Sequence, residues 1–430
     1  MDLSRSFAPF RHRPFALLWT GAFVSNIGTW METVGVGILV TEVTHRAGWT
    51  GLVAAAAFVP GALLGPIGGA LADRLPRRRV LLTTTAVQTA LAGLLTFLAA
   101  RGTPPPGLVT LIVFAGGCAM ALGFPSFQAM LPDLVPEEDV VSAVALASAV
   151  WNLGRVIGPA LAGIVIATGD YAWAFGINTV SFLAVIAVVL PLRLPPPATP
   201  TGATILGSIR EGVRFARGEP GIRVVIGYMA LNTFLAAPFI GLIPAMAIKV
   251  LHEGAGGTSA LVTAQGVGAV TMAFSLGALA AYLGSRRVLQ GVLWLLPPAL
   301  VLYAVAPTIA FSVPAIFVVG FLYLGALSSF MSIAQLRAPS AVRGRVLSVL
   351  MVLLGTLYPL GLLVQGTLAD AVGLRPVTAG AALLMLATLV ITRVTRPSFA
   401  AALDRFEITG SDGAGPEPIP APAAPGALEL

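Results

Sequence analysis

Glu32 and Arg155 are the ionisable residues that sit deepest inside long apolar runs, and this placement is the strongest chemical signal in the chain. A charge in hydrocarbon is costly, so it is retained where it pairs, faces a wet cavity or moves ions. A carboxylate that is dry in one state and solvated in another can carry a proton between the two. Ser25, Gly28, Thr29, Glu32 and Gly35 share one helical face, and Phe23, Ile27, Trp30, Val34 and Ile38 share the other. That spacing turns Glu32 toward a bundle interior or a cavity. Glu32 and Arg155 are therefore the candidates for proton coupling. The alternative is an ion pair between them that only fixes packing, and for Arg155, set among glycines, a packing role is the expected one.

Other groups could recognise a ligand without charge. Asn26, Gln128, Asn232, Gln265, Ser328 and Gln335 bring hydrogen-bonding groups into apolar runs, and Phe124, Phe239 and Tyr323 bring aromatic faces. Each could equally serve an ordinary interhelical contact. Hydrolytic and redox chemistry find no support: His12, His45 and His252 lie outside the apolar runs and far apart, and Cys118 is the single cysteine. A lone cysteine permits neither an internal disulfide nor a cysteine-based metal site. No phosphate-binding glycine loop occurs, so any uphill work would draw on an ion or substrate gradient. No catalytic residue, metal or cofactor is expected.

The elements that must position these groups follow from composition. The chain of 430 residues is 57% hydrophobic and 10% charged, against roughly 25% charged in a soluble domain. It cannot clothe itself in polar surface, so lipid is its expected solvent. A helix crossing ~30 Å of hydrocarbon needs ~20 apolar residues. Apolar runs at 15–41, 49–72, 80–100, 107–131, 139–168, 172–192, 222–248, 258–283, 288–305, 308–335, 344–369 and 375–393 predict twelve such helices. Pro60, Pro125, Pro159, Pro238, Pro314 and Pro359 fall inside these runs and predict kinks, since neighbouring helices in a membrane can satisfy the freed backbone. The first run, preceded by Arg5, Arg11 and Arg13, lacks a small-residue cleavage site and is read as a retained helix rather than a secretory signal.

An even number of spans puts both ends on one side. With that side cytoplasmic, 20 of the 25 Lys and Arg residues are cytoplasmic; Arg46, Arg101, Lys249 and Arg375 are external, and Arg155 is within a helix. Basic residues favour the cytoplasm, so both termini are expected there. The net charge of +7 is thus read by position, as topology, and no nucleic-acid partner is expected. Residues 1–14 form the leading segment, 15–192 a first six-helix lobe, 193–220 a connection, 221–395 a second lobe and 396–430 a tail. In the connection, Leu206, Ile209 and Val213 share one helical face and Arg210, Arg214 and Arg217 another, fitting a short helix on an anionic leaflet or a solvated linker helix. Beyond Arg396 the Pro-, Ala- and Gly-rich composition predicts disorder.

Two motifs sharpen this reading. After the second run, Gly69-Ala70-Leu71-Ala72-Asp73-Arg74-Leu75-Pro76-Arg77-Arg78-Arg79 packs one carboxylate among four guanidiniums. A positive-inside anchor explains the arginines but not Asp73. In the fifth run, Gly154-Arg155-Val156-Ile157-Gly158-Pro159-Ala160-Leu161-Ala162-Gly163 combines small residues, which allow close helix approach, with a bend at Pro159. Together the two resemble the loop signature and the antiporter motif of the major facilitator superfamily, although Pro76 stands where the family usually has glycine. Gly277 to Arg287 and Gly355 with Pro359 echo them faintly in the second half, as duplicated transporter halves do. Pro132-Asp133-Leu134-Val135-Pro136 and Arg343-Gly344-Arg345-Val346 resemble the branch with enterobactin and macrolide exporters.

The resemblance implies a twelve-helix, all-α membrane protein of two pseudo-symmetric six-helix lobes. It implies a gate built on Gly69, Asp73, Arg74, Arg77 and Arg78, and an antiporter motif on Gly154, Gly158, Pro159 and Gly163. The first, fourth, seventh and tenth helices would line a central cavity, making Asn26, Phe124, Gln128, Asn232, Phe239, Tyr323 and Ser328 candidate substrate contacts. The expected activity is proton-coupled efflux of an amphipathic small molecule by a monomer in the bacterial inner membrane, surrounded by lipid. An uptake permease of the same fold would carry more charged or sugar-binding groups in its cavity. A membrane enzyme or scaffold would need a catalytic cluster or a large extramembrane domain.

Overall fold

A chain segment in hydrocarbon must satisfy its own backbone polar groups, so each long apolar run folds as a helix. The computed structural model describes residues 7–192, 194 and 213–396. Within them lie twelve helices long and apolar enough to cross a membrane: α1 Arg13–Thr44, α2 Ala47–Arg74, α3 Arg77–Ala100, α4 Pro106–Met130, α5 Val140–Thr168, α6 Tyr171–Val189, α7 Pro220–Val250, α8 Ala255–Leu283, α9 Ser285–Val305, α10 Ile309–Arg337, α11 Ser340–Val372 and α12 Leu374–Thr395. Most run two to four residues past their apolar stretch at one end or both, because polar and basic residues continue a helix into the interface, whereas α6 stops three residues short. The expected amphipathic helix of the connection falls mostly outside the described residues, as does the tail.

The helices form two six-helix lobes of like construction. In the first, α2 packs on α4 and α3 on α6; in the second, α8 packs on α10 and α9 on α12. Even a local irregularity repeats: His45, between α1 and α2, and His252, between α7 and α8, are the non-glycine residues with positive φ, at 52° and 57° among the described residues. Glycines permit the close pairings. Gly68 lies against the Ala121 carbonyl, and a methyl group at Gly268 would collide with the Phe317 carbonyl.

Pro60, Pro125, Pro159, Pro314 and Pro359 stay inside continuous helices, as expected. Pro238 sits in α7 just after a π-helical turn at Asn232–Ala236. Proline has no N–H to give the Phe234 carbonyl four residues back. Gln365 of α11 fills that vacancy, its Nε2 donating to the carbonyls of Phe234 and Leu235 at 3.0 Å each.

The lobes meet through α2 with α11 and α5 with α8. A methyl at Gly51 would lie 2.6 Å from the Leu362 carbonyl, one at Gly366 2.9 Å from the Ala47 carbonyl, and one at Gly355 2.8 Å from the Ala62 Cβ. Farther toward the side bearing both chain ends, Gly65 and Gly69 have nothing within 4 Å of the equivalent position. The α5–α8 pair behaves alike. Gly163 abuts Ser259, whereas Val156, Val267, Thr271 and Phe274 border a wide gap of about 380 Å³. The lobes are in tight contact on the side away from Arg13 and Thr395 and more loosely packed on the side that carries them.

Candidate functional site

A cavity of about 420 Å³ lies in the first lobe, lined by α1, α3, α4, α5 and α6. The sequence-predicted Asn26, Phe124 and Gln128 line it. Thr84, Thr85 and Gln88 of α3, with Trp151 and Asn152 of α5, line it too and were not singled out from sequence. Their signal was present: Thr84 and Gln88 are four apart in an apolar span, so they share a face. Aromatic rings form one wall, with Phe124 stacked on Phe127 at 6.4 Å and Trp151 edge-on to Trp30 at 5.9 Å. Such a lining of apolar surface with a few uncharged polar groups suits an amphipathic small molecule.

The second-lobe candidates do not line this cavity. Asn232 is fully buried in the π turn of α7, and Phe239 and Tyr323 close on each other edge-to-face at 5.8 Å. Ser328 is half-buried on α10. Of the four helices expected to line a central cavity, α1 and α4 line this one, together with α3, α5 and α6.

Glu32 stands one turn beyond Thr29, which lines the cavity. Its carboxylate accepts a hydrogen bond from the Asn178 amide of α6 at 2.7 Å. Ser181 donates to the Asn178 Oδ1 at 3.1 Å, so a short polar chain runs from Glu32 of α1 into α6. Gly28 makes this approach possible, since a methyl there would lie 2.7 Å from the Asn178 Oδ1. Arg155 takes a different partner. Its Nη2 donates to the Gln265 Oε1 of α8 at 2.9 Å, and the guanidinium lies 5.8 Å from the Trp30 ring. The ion pair between Glu32 and Arg155 considered from sequence is not formed.

The antiporter-like motif is a packing hub. A methyl at Gly154 would lie 2.7 Å from the Asn26 Oδ1, one at Gly158 2.5 Å from the Trp30 Cβ, and one at Gly163 2.6 Å from the Ser259 Cβ. Thus Gly154 and Gly158 seat α5 on α1, Gly163 seats it on α8, and Pro159 is buried between them. At the loop motif, Asp73 and Arg74 are exposed, and Asp73 has no bonded partner among the described residues. Arg77 bonds the Asp133 carboxylate at 2.5 Å and the Ala129 carbonyl at 3.0 Å, and Arg78 donates to the Leu190 carbonyl. The basic residues thereby tie the ends of α3, α4 and α6 together.

Comparison with known proteins agrees with this architecture. The profile of the MFS family described as transmembrane secretion effector matches residues 4–408. The enterobactin exporters EntS of Citrobacter koseri and of Escherichia coli O1:K1 are each 28% identical, over 78% of this chain and 80% of those proteins. Among solved structures, the nucleoside transporter NupG superposes with a TM-score of 0.66 at 14% identity, covering 92% of this chain and 99% of that one. An inward-facing, unoccupied bacterial homolog of the human lysosomal transporter Spinster gives 0.68 at 15%, covering 93% and 98%. The chain belongs to the transmembrane secretion effector family, a multi-pass membrane transporter of the major facilitator fold.

Proposed function

We propose that this transporter exports an amphipathic small molecule across the bacterial inner membrane in exchange for protons, with Glu32 as the proton carrier. The observation that carries the reading is the adjacency of cavity and carboxylate: Glu32 lies one turn past the cavity-lining Thr29 and is joined through Asn178 to α6. Substrate in the cavity and a proton on Glu32 would compete for the same α1–α6 seam, which is the differential interaction that exchange requires. The similarity to enterobactin exporters supports the outward direction. Basic-residue asymmetry supports cytoplasmic termini, which makes the loosely packed side cytoplasmic and the cavity accessible from within. Asp73, with Arg74, is assigned to the gate that closes this side in the opposite state.

Inverted vesicles loaded with a pH-sensitive dye test the reading. Addition of a transported amphipathic compound from a substrate panel should discharge an imposed pH gradient, and the compound should accumulate inside. Accumulation without proton movement would remove the coupling, and uptake in the opposite sense would remove export.

A further inference from the structure

Arg155 is a cation without a counter-ion. It lies deep between the lobes yet keeps partial exposure, and no carboxylate lies within ion-pair distance of it among the described residues. Glu32, the other deep charge, is engaged by Asn178 on the far side of α1. The guanidinium donates to the Gln265 Oε1. The Trp30 Nε1 and Gln265 Nε2 are buried N–H groups with no partner. The hydroxyls of Tyr323 and Tyr358 lie within electrostatic reach of the charge. Buried donors left unpaired are expensive, and so is a buried charge, so the cluster is incomplete as it stands.

We infer that Arg155, with Trp30 and Gln265, forms an anion-recognition site on the α5–α8 seam beside the cavity, reached past Trp151, and that the transported molecule is an aromatic or similarly apolar compound carrying an anionic group. The arrangement places the two parts of such a ligand. Trp151 and Asn152 line the cavity one helical turn before Arg155. The Trp151 ring packs against Trp30, over which the guanidinium sits. An apolar body held by Phe124, Phe127 and Trp151 therefore brings its anionic end toward the guanidinium, whose planar fork suits a carboxylate. Because Gln265 belongs to the second lobe and Arg155 to the first, a bound anion would touch the seam where the lobes meet, coupling occupancy to their relative position. This inference rests on the cavity being the substrate's.

Purified full-length protein in lipid nanodiscs, titrated calorimetrically with 2-naphthoate and with its neutral counterpart 2-naphthamide, separates the two readings. Wild type should bind the anion about tenfold more tightly than the amide, as expected for a charge-assisted contact. Arg155→Gln should bring that ratio to about one while naphthamide binding is kept. A wild-type ratio near one, or an unchanged ratio in Arg155→Gln, overturns the anion site and leaves the cavity reading intact. Binding of neither probe to wild type overturns both. Should Arg155→Gln fail to fold, Arg155→Lys takes its place: a ratio lowered about threefold supports the site, because a point charge cannot reproduce the fork, and an unchanged ratio refutes it.

Discussion

The carboxylate of Asp370, near the end of α11, accepts the backbone N–H of Ala47 at 2.7 Å and so caps α2 from the opposite lobe. It also accepts from the Gly48 N–H at 3.0 Å, and Lys249 joins it at 3.3 Å. The first N–H groups of a helix have no internal partner, and the helix dipole favours an anion there. One side chain thus satisfies α2, neutralises Lys249 and holds the two lobes together on the closed side. Removing it should loosen this closure. Asp370→Ala is expected to cost the closed arrangement about 1–2 kcal/mol, a roughly five- to thirtyfold shift toward opening. Spin labels at Arg46 and Val372, measured by double electron–electron resonance, should report a larger population at long distance. An unchanged distance distribution would show that glycine packing alone seals this side.

Glu32→Gln keeps the size of the side chain and its contact with Asn178 but removes the titration. Uphill efflux driven by a pH gradient in proteoliposomes should be lost, while downhill exchange and ligand binding persist. Full pH-driven efflux in this variant would eliminate Glu32 as the proton carrier. Asn178→Ala, which leaves the carboxylate without its donor, should shift the pH profile of transport rather than abolish it.

Asp73 is exposed in this structure, so the gating role proposed for it would be exerted in the opposite state. Asp73→Asn is therefore expected to lower turnover about tenfold, or ~1.4 kcal/mol in the limiting step, with substrate affinity in the open state unchanged. Wild-type turnover in reconstituted vesicles would reduce Asp73 to a surface charge.

Packing makes its own forecast. Gly158→Ala drives a methyl to 2.5 Å from the Trp30 Cβ and near the Ile27 carbonyl, a backbone contact that cannot yield easily. The overpacking should cost about 1–3 kcal/mol. Gly69→Ala places its methyl in open space and should leave stability unchanged. Thermal unfolding followed by intrinsic fluorescence distinguishes them: equal midpoints would mean that α1 and α5 can separate freely at Gly158.

The number and limits of the helices were legible in the residues themselves, because crossing hydrocarbon demands a long apolar run and a self-satisfied backbone, both of which are local properties. The placement of Glu32 and Arg155 within apolar runs was legible for the same reason, whereas the loop and antiporter motifs were read from a family resemblance. Which face of each helix meets which neighbour was not. Lipid and protein interior are both apolar, so hydrophobic periodicity says little about which face turns inward, and α1 shows this: Val34 and Ile38, assigned to the face opposite Glu32, are buried as well. Only the tertiary structure pairs Glu32 with Asn178, across 146 positions of sequence, and Asp370 with Ala47, across 323. It alone brings Thr84 and Gln88 of α3 and Trp151 of α5 to the same cavity as Asn26 and Phe124. Helix composition sets what can enter the membrane; long-range packing sets which polar groups meet there.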